Sequence, residues 1–210
     1  MPGPANRTSA KSTLGGVAID SSTIRLRSPR RRRFSAEDYA LMAKAGVLKA
    51  DERTELIQGE VLTMSPIGVR RAFVVDRLTK FLSEALAGRA HLRVQGPIRL
   101  GKHSEPVPDL AILKPSADDY ASRHPGPLDV LFLIEVMDAT AVFDRGDKRR
   151  LYARPGIPEL WLVDVNEEWI EVHLRPRKRE YLEMRTFERG ETLASVAFPD
   201  VRLEVDRILG

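Results

Sequence analysis

Two carboxylates in strand-like surroundings are the residues of this sequence best placed to do chemistry. Asp109 follows a proline at the start of the apolar run DLAIL, and Glu135 stands 26 residues later inside VLFLIEVMD. An ionised carboxylate in an apolar strand is costly unless it is paired. Glu135 therefore needs a structural Arg or Lys, a proton, or a divalent cation shared with a second carboxylate. If the two residues lie on adjacent strands with side chains on one face, their oxygens can hold Mg²⁺, which takes one or two carboxylates, keeps several waters and accepts a substrate phosphate. Lys148, thirteen residues beyond Glu135 on the next helical segment, could reach the same point. The chemistry of such a trio is hydrolysis at phosphorus: the metal acidifies a water and neutralises the developing charge, and the lysine orients or activates that water. Each residue also has a plain structural reading. A Pro-Asp pair is a common strand start, an ion pair satisfies a buried glutamate, and Lys148 stands among Arg145, Arg149 and Arg150 on what could be a solvated basic edge.

Other chemistries lack their residues. The sequence has no cysteine, which removes disulfides and every thiol nucleophile. It carries no GxxxxGK[ST] or GxGxxG loop, so no nucleotide cofactor is expected. Without a G-x-S-x-G elbow, and with His91, His103, His124 and His173 at no paired spacing, neither a serine triad nor a zinc site is indicated.

The elements that must position the carboxylates follow from the apolar spacing. Ser35 with Asp38 three residues later forms a capping-box-like start for a short amphipathic helix that Gly46 ends. Residues 55–57 and 61–64 are extended runs hinged at Gln58-Gly59, and a longer helix is predicted over 72–86. Strand-like runs then cover 92–100, 107–113 and 130–136, the last apolar almost throughout and so expected to be buried on both faces. A helix over 145–154 is closed by Pro155-Gly156. Strands at 159–165, 169–174 and 181–187 precede a short strand and helical turn at the C-terminus. The predicted fold class is mixed α/β, a central sheet flanked by helices. Trp161, Asp164, Glu159 and Tyr152 are read as structural, an indole in the core and polar groups at strand or helix ends.

The net charge of +4 over 210 residues is unevenly distributed. Residues 1–33 hold eight bases and one acid, so they carry +7 and the rest of the chain −3. This segment, which includes RLRSPRRRR, is too poor in large apolar residues to repay the entropy of ordering, and it is expected to be a disordered basic tail. It has no continuous apolar core of a secretory signal, and no run is long enough to span a membrane, so a cytoplasmic protein is expected.

The segments TELIQGEVLTMSPIG, EPVPDLAIL, LFLIEVMDAT and FDRGDKRRLYARPGIPELWLVDV together resemble the Uma-type family of restriction endonucleases, within the PD-(D/E)XK nuclease superfamily. The resemblance runs from about Phe34 to the C-terminus. It implies a restriction-endonuclease-like core over 34–210 and metal-dependent cleavage of DNA with Mg²⁺ or Mn²⁺. By that implication Asp109 is the aspartate of the PD motif and Glu135 the following acid. The motif lysine would stand two residues on, where this chain has Met137, so the resemblance implies a lysine displaced to Lys148. Glu60, in the QGEV turn, matches the family's Gly-Glu pair and is implied as an auxiliary ligand of metal or water. A homodimer is implied as well. Two departures stand out: Arg70-Arg71 where members often carry a histidine, and Asp138-Ala139-Thr140 where members carry a small polar run. Either could leave a nuclease-fold module that binds nucleic acid or a protein partner without cutting.

Overall fold

The computed structural model describes residues 31–49, 51–138 and 144–210. Most of the basic tail, together with Ala139 and Thr140, lies outside the described residues. Ser35 caps α1 (Ala36–Lys44) with a full capping box, accepting from the Asp38 amide at 3.1 Å while its own amide donates to the Asp38 carboxylate at 2.8 Å. The hairpin β1 (Thr54–Ile57) and β2 (Glu60–Thr63) turns at Gln58 and Gly59, with φ of 51° and 85°. Two positive φ values are what a tight hairpin turn of matching twist demands, and glycine adopts one freely.

The sheet has six strands in the order β3 (His91–Val94), β4 (Leu110–Leu113), β5 (Val130–Met137), β6 (Glu159–Asp164), β7 (Trp169–Arg177) and β8 (Glu180–Phe187). Only β5 and β6 run parallel, and every other pairing is antiparallel. A parallel pair needs a crossover. Here that crossover contains a π-helical turn at Asp144–Lys148, followed directly by the short helix α3 (Arg149–Ala153).

The period-two alternation of strands divides β5 between two cores. Phe132, Ile134 and Val136 share one core with Val74, Leu78 and Leu82 of α2 (Val69–Ala85) and with the C-terminal β10 (Leu203–Glu204) and α4 (Val205–Leu209). A short strand, β9 (Thr192–Leu193), pairs with β10 beside this core. Leu133 and Met137 join the opposite core with Ala111, Leu113, Tyr152 and Ile157. Glu135 has the parity of that second set. All of β5 except Leu131 is buried, as its continuous apolar run requires.

Three elements fall short of their predicted extent. The run 92–100 forms a strand only as far as Val94, because Gln95 adopts a φ of 46° and Pro97 has no amide to donate. The run 107–113 becomes a strand only at Leu110, after prolines at 106 and 108. The predicted helix at 145–154 opens as a π turn, so only its second half is α-helical. Among the described residues no helix is long and apolar enough to cross a membrane.

Candidate active site

Asp109 occupies the bend just before β4, where its carbonyl accepts the Gln95 amide at 2.9 Å. The Leu110–Ile134 pairing sets Asp109 across from Glu135 one step beyond the end of β4. Its side chain extends the ladder there: Oδ2 accepts the Val136 amide at 2.8 Å, in place of a backbone carbonyl. Arg71, in the first turn of α2, closes on the same carboxylate. Its Nη2 lies 3.0 Å from Oδ1 and 2.9 Å from Oδ2, with Nε at 3.1 Å from Oδ2. Gln95 Nε2 adds a contact to Oδ1 at 3.2 Å. With Asp109 only 1% exposed and Arg71 7%, the pair is desolvated, and a bidentate guanidinium is the partner that best offsets that cost.

Glu135 is fully buried, and so is Lys148. Lys148 Nζ lies 3.2 Å and 3.3 Å from the two carboxylate oxygens of Glu135, and the Tyr152 hydroxyl donates to Oε1 at 2.6 Å. Lys148 and Tyr152 are four residues apart, one helical turn, which aims both at the same strand residue. The ammonium also reaches Glu55 of β1 at 3.3 Å. It therefore ties the hairpin, the central strand and the crossover together. Among the described residues the contacts join three carboxylates (Glu55, Asp109, Glu135) and two cations (Arg71, Lys148), all buried.

The structure thus brings Asp109, Glu135 and Lys148 to one end of the central strands. It does not gather Glu60 with them: Glu60 is exposed at the first position of β2, and the hairpin's contribution is Glu55. Among the described residues no three His, Asp or Glu side chains converge as a ready-made metal group. Two hard carboxylates, one at the bend before β4 and one on β5, nevertheless match in kind what Mg²⁺ asks of a protein. The donor set fits the ion in kind, with Asp109 and Glu135 as the residues that would hold it.

Four participants escaped the reading of the sequence as site residues: Glu55, Arg71, Gln95 and Tyr152. Glu55 carries the same signal as Glu135, an acid in an apolar strand, but in a run of only four residues. Tyr152 reads as structural in the sequence, and its ring does lie in the second core while its hydroxyl serves Glu135. Glu159, Trp161 and Asp164 form separate structural contacts. Glu159 accepts from the Trp161 indole and from the Val196 amide, and burial raises its carboxyl above the usual range. Asp164 caps a turn by accepting the amides of Asn166 and Glu167, each at 2.9 Å. Asp138 approaches Asn166 Nδ2 at 3.3 Å beyond the end of β5.

Comparison with known proteins gives a consistent picture. The family model described as "Uma2: Putative restriction endonuclease" matches residues 36–206. A crystal structure titled as "a putative nuclease belonging to DUF820", from Anabaena variabilis, is similar in fold with a TM-score of 0.66 and 15% identity, over 84% of this chain and 97% of that one. No curated protein matches the chain significantly.

Proposed function

Because the chain belongs to the Uma2 family of restriction-endonuclease-type proteins, we propose that it is a Mg²⁺- or Mn²⁺-dependent endonuclease that hydrolyses phosphodiester bonds of DNA. The observation that carries this reading is the meeting of Asp109 and Glu135 at the same end of β4 and β5, with Lys148 Nζ 3.2 Å from Glu135. Asp109 and Glu135 would hold the divalent cation. Such an ion supplies charge neutralisation at the reacting phosphate and an acidified water. Lys148 fixes the orientation of the Glu135 carboxylate and keeps a positive charge beside it, where negative charge grows on phosphate oxygens. Tyr152 adds a further hydrogen bond to Glu135, so that the carboxylate enters the reaction in one rotamer. Gln95 and the Val136 amide do the same for Asp109.

The test is nicking of supercoiled plasmid with Mg²⁺ or Mn²⁺ by wild type, Asp109→Ala and Glu135→Ala. The proposal expects cleavage by wild type and its loss in both variants. One observation favours a second reading, a nuclease-fold module that binds without cutting: Arg71 already occupies both oxygens of Asp109. Absence of cleavage by wild type under either ion, with DNA binding retained, would select that reading.

A further inference from the structure

A cleft of about 510 Å³ opens where the hairpin tip, the loop at 100–104 and the outer side of α3 meet. Its lining includes Arg33, Lys102, Arg150, Arg154 and Arg179, against one carboxylate, Asp147. Asp147, Arg150 and Arg154 stand at positions i, i+3 and i+7, a stripe of the crossover helix distinct from the Lys148–Tyr152 pair that serves Glu135. None of the five cations forms an ion pair within 4.0 Å among the described residues, whereas Arg70, Arg89, Arg123, Arg175 and Arg189 elsewhere on the surface each do. Residues 34–210 are acidic in sum, so this concentration of positive charge is not an average property of the surface.

The walls are tied to each other by hydrogen bonds. The Gly59 amide donates to the His103 carbonyl at 2.7 Å, and the Gln58 amide to the Ser104 hydroxyl at 2.9 Å. His103 Nδ1 meets the Phe34 carbonyl at 2.8 Å, and the Phe34 amide donates to Gly59 at 3.0 Å, which holds Arg33 at the rim. Tyr181 donates to the Ile157 carbonyl at 3.0 Å, docking the β7–β8 turn that bears Arg179 onto the end of the helix. A fixed cleft with unpaired cations on three walls stores mutual repulsion that a polyanion relieves, and its charged lining sets it apart from the apolar pockets that small molecules prefer.

We propose that this cleft is a phosphate-backbone contact for a nucleic-acid strand, separate from the carboxylate group and served by the outer side of the same crossover helix. The nucleic-acid assignment rests on the nuclease reading above, while the anion chemistry rests on the cleft alone. Each arginine in contact with a phosphate displaces a condensed counterion, so affinity must fall with salt in proportion to the contacts made.

The experiment is fluorescence anisotropy of the full chain with a short fluorescein-labelled DNA duplex in EDTA, over a salt series of about 50 to 200 mM. Arg150→Gln/Arg154→Gln is expected to weaken binding roughly tenfold or more and to flatten the log–log salt slope by about two, and Arg179→Gln by about one. Arg202→Gln removes an exposed charge outside the cleft and is expected to bind as wild type. Thermal melts of the same variants check the fold, which exposed arginines leave intact. Equal binding by wild type and the double variant, or an equal loss in Arg202→Gln, overturns the proposal. So does binding of inorganic pyrophosphate, but not duplex, by wild type. Because no cleavage is read, a failed cleft leaves the Asp109 and Glu135 assignment standing. Nicking that survives Asp109→Ala leaves the cleft result standing in turn.

Discussion

Replacing Lys148 by methionine removes a cation that lies between Glu135 and Glu55, while keeping nearly the same volume in a fully buried space. The Nζ group stands 3.2–3.3 Å from three carboxylate oxygens on those two residues. At an effective dielectric of about 20, each such pair is worth roughly 5 kcal/mol of direct attraction. Desolvation of three charged groups cancels much of it, and breaking a buried pair by deleting one partner costs about 3–5 kcal/mol in measured cases. For a chain of this size about 2–4 °C accompanies each kcal/mol, so Lys148→Met is expected to lower the melting temperature by roughly 6–20 °C. Calorimetry or a circular-dichroism melt at neutral pH reads this directly. The structure also demands coupling. Adding Glu55→Gln to Lys148→Met removes one of the two stranded charges, so the double variant must be more stable than the sum of single losses predicts, by about 1 kcal/mol or more. A melting temperature within about 2 °C of wild type, or strict additivity with Glu55→Gln, would refute the placement of Lys148 between the two carboxylates.

Two further outcomes follow from the same charges. Arg71→Met strips Asp109 of its guanidinium and leaves it Gln95 and the Val136 amide, so the melting temperature should fall. Millimolar Mn²⁺ should then restore more of it than it adds to wild type, and equal shifts in the two proteins would contradict the competition between Arg71 and a cation. Burial raises the Glu159 carboxyl above its ordinary 4.5 despite the Trp161 and Val196 hydrogen bonds. The native state therefore keeps this proton at pH values where the unfolded chain has released it, and stability falls as pH rises from about 4.5 through the raised native value, then levels off. Glu159→Gln should remove that segment of the melting-temperature profile, and an unchanged difference across it would show that another group carries the slope.

The centre of the sheet was legible because β4, β5 and β6 are buried on both faces. The run VLFLIEVM admits no reading but a covered strand, and within it a single acid announces a partner. The turn at Gln58-Gly59 was equally legible, since local conformation decides it. The breaks at Gln95-Pro97 and at Pro106-Pro108 were less so: apolar spacing suggested longer strands, and the prolines and one left-handed residue overrode it. The site was legible in part for a related reason. Glu135 declares itself by the cost of its surroundings, whereas Lys148, among Arg145, Arg149 and Arg150, is marked out only by its spacing from Glu135 and by the resemblance. Glu60 is singled out by the resemblance to the family's Gly-Glu pair and lies exposed at the start of β2. Glu55, which touches Lys148, is placed by the long-range contact of Leu56 with Glu105, which seats β1 against the rest of the fold.

Arg71 shows why spacing alone could not complete the site. Read along the chain, Arg70-Arg71 is an unremarkable basic pair at a helix start, and the two residues go opposite ways. Arg70 turns outward to the exposed Glu168, which also takes Arg189, and this surface pairing lowers the Glu168 carboxyl to about 2. Arg71 turns inward to Asp109. Adjacent positions on a helix point about 100° apart, so one pair of like residues serves two different electrostatic tasks. The inward task has a consequence for chemistry. A divalent ion held by Asp109 would add its charge where the Arg71 guanidinium already stands, 2.9–3.1 Å from the same carboxylate. Binding a metal at Asp109 is therefore easiest if Arg71 withdraws its contacts at the same time. The first turn of α2 is the element able to permit this, for it begins at Gly68 without a side-chain cap. The affinity for the proposed ion would then be set as much by how firmly Arg71 is held as by the carboxylates themselves.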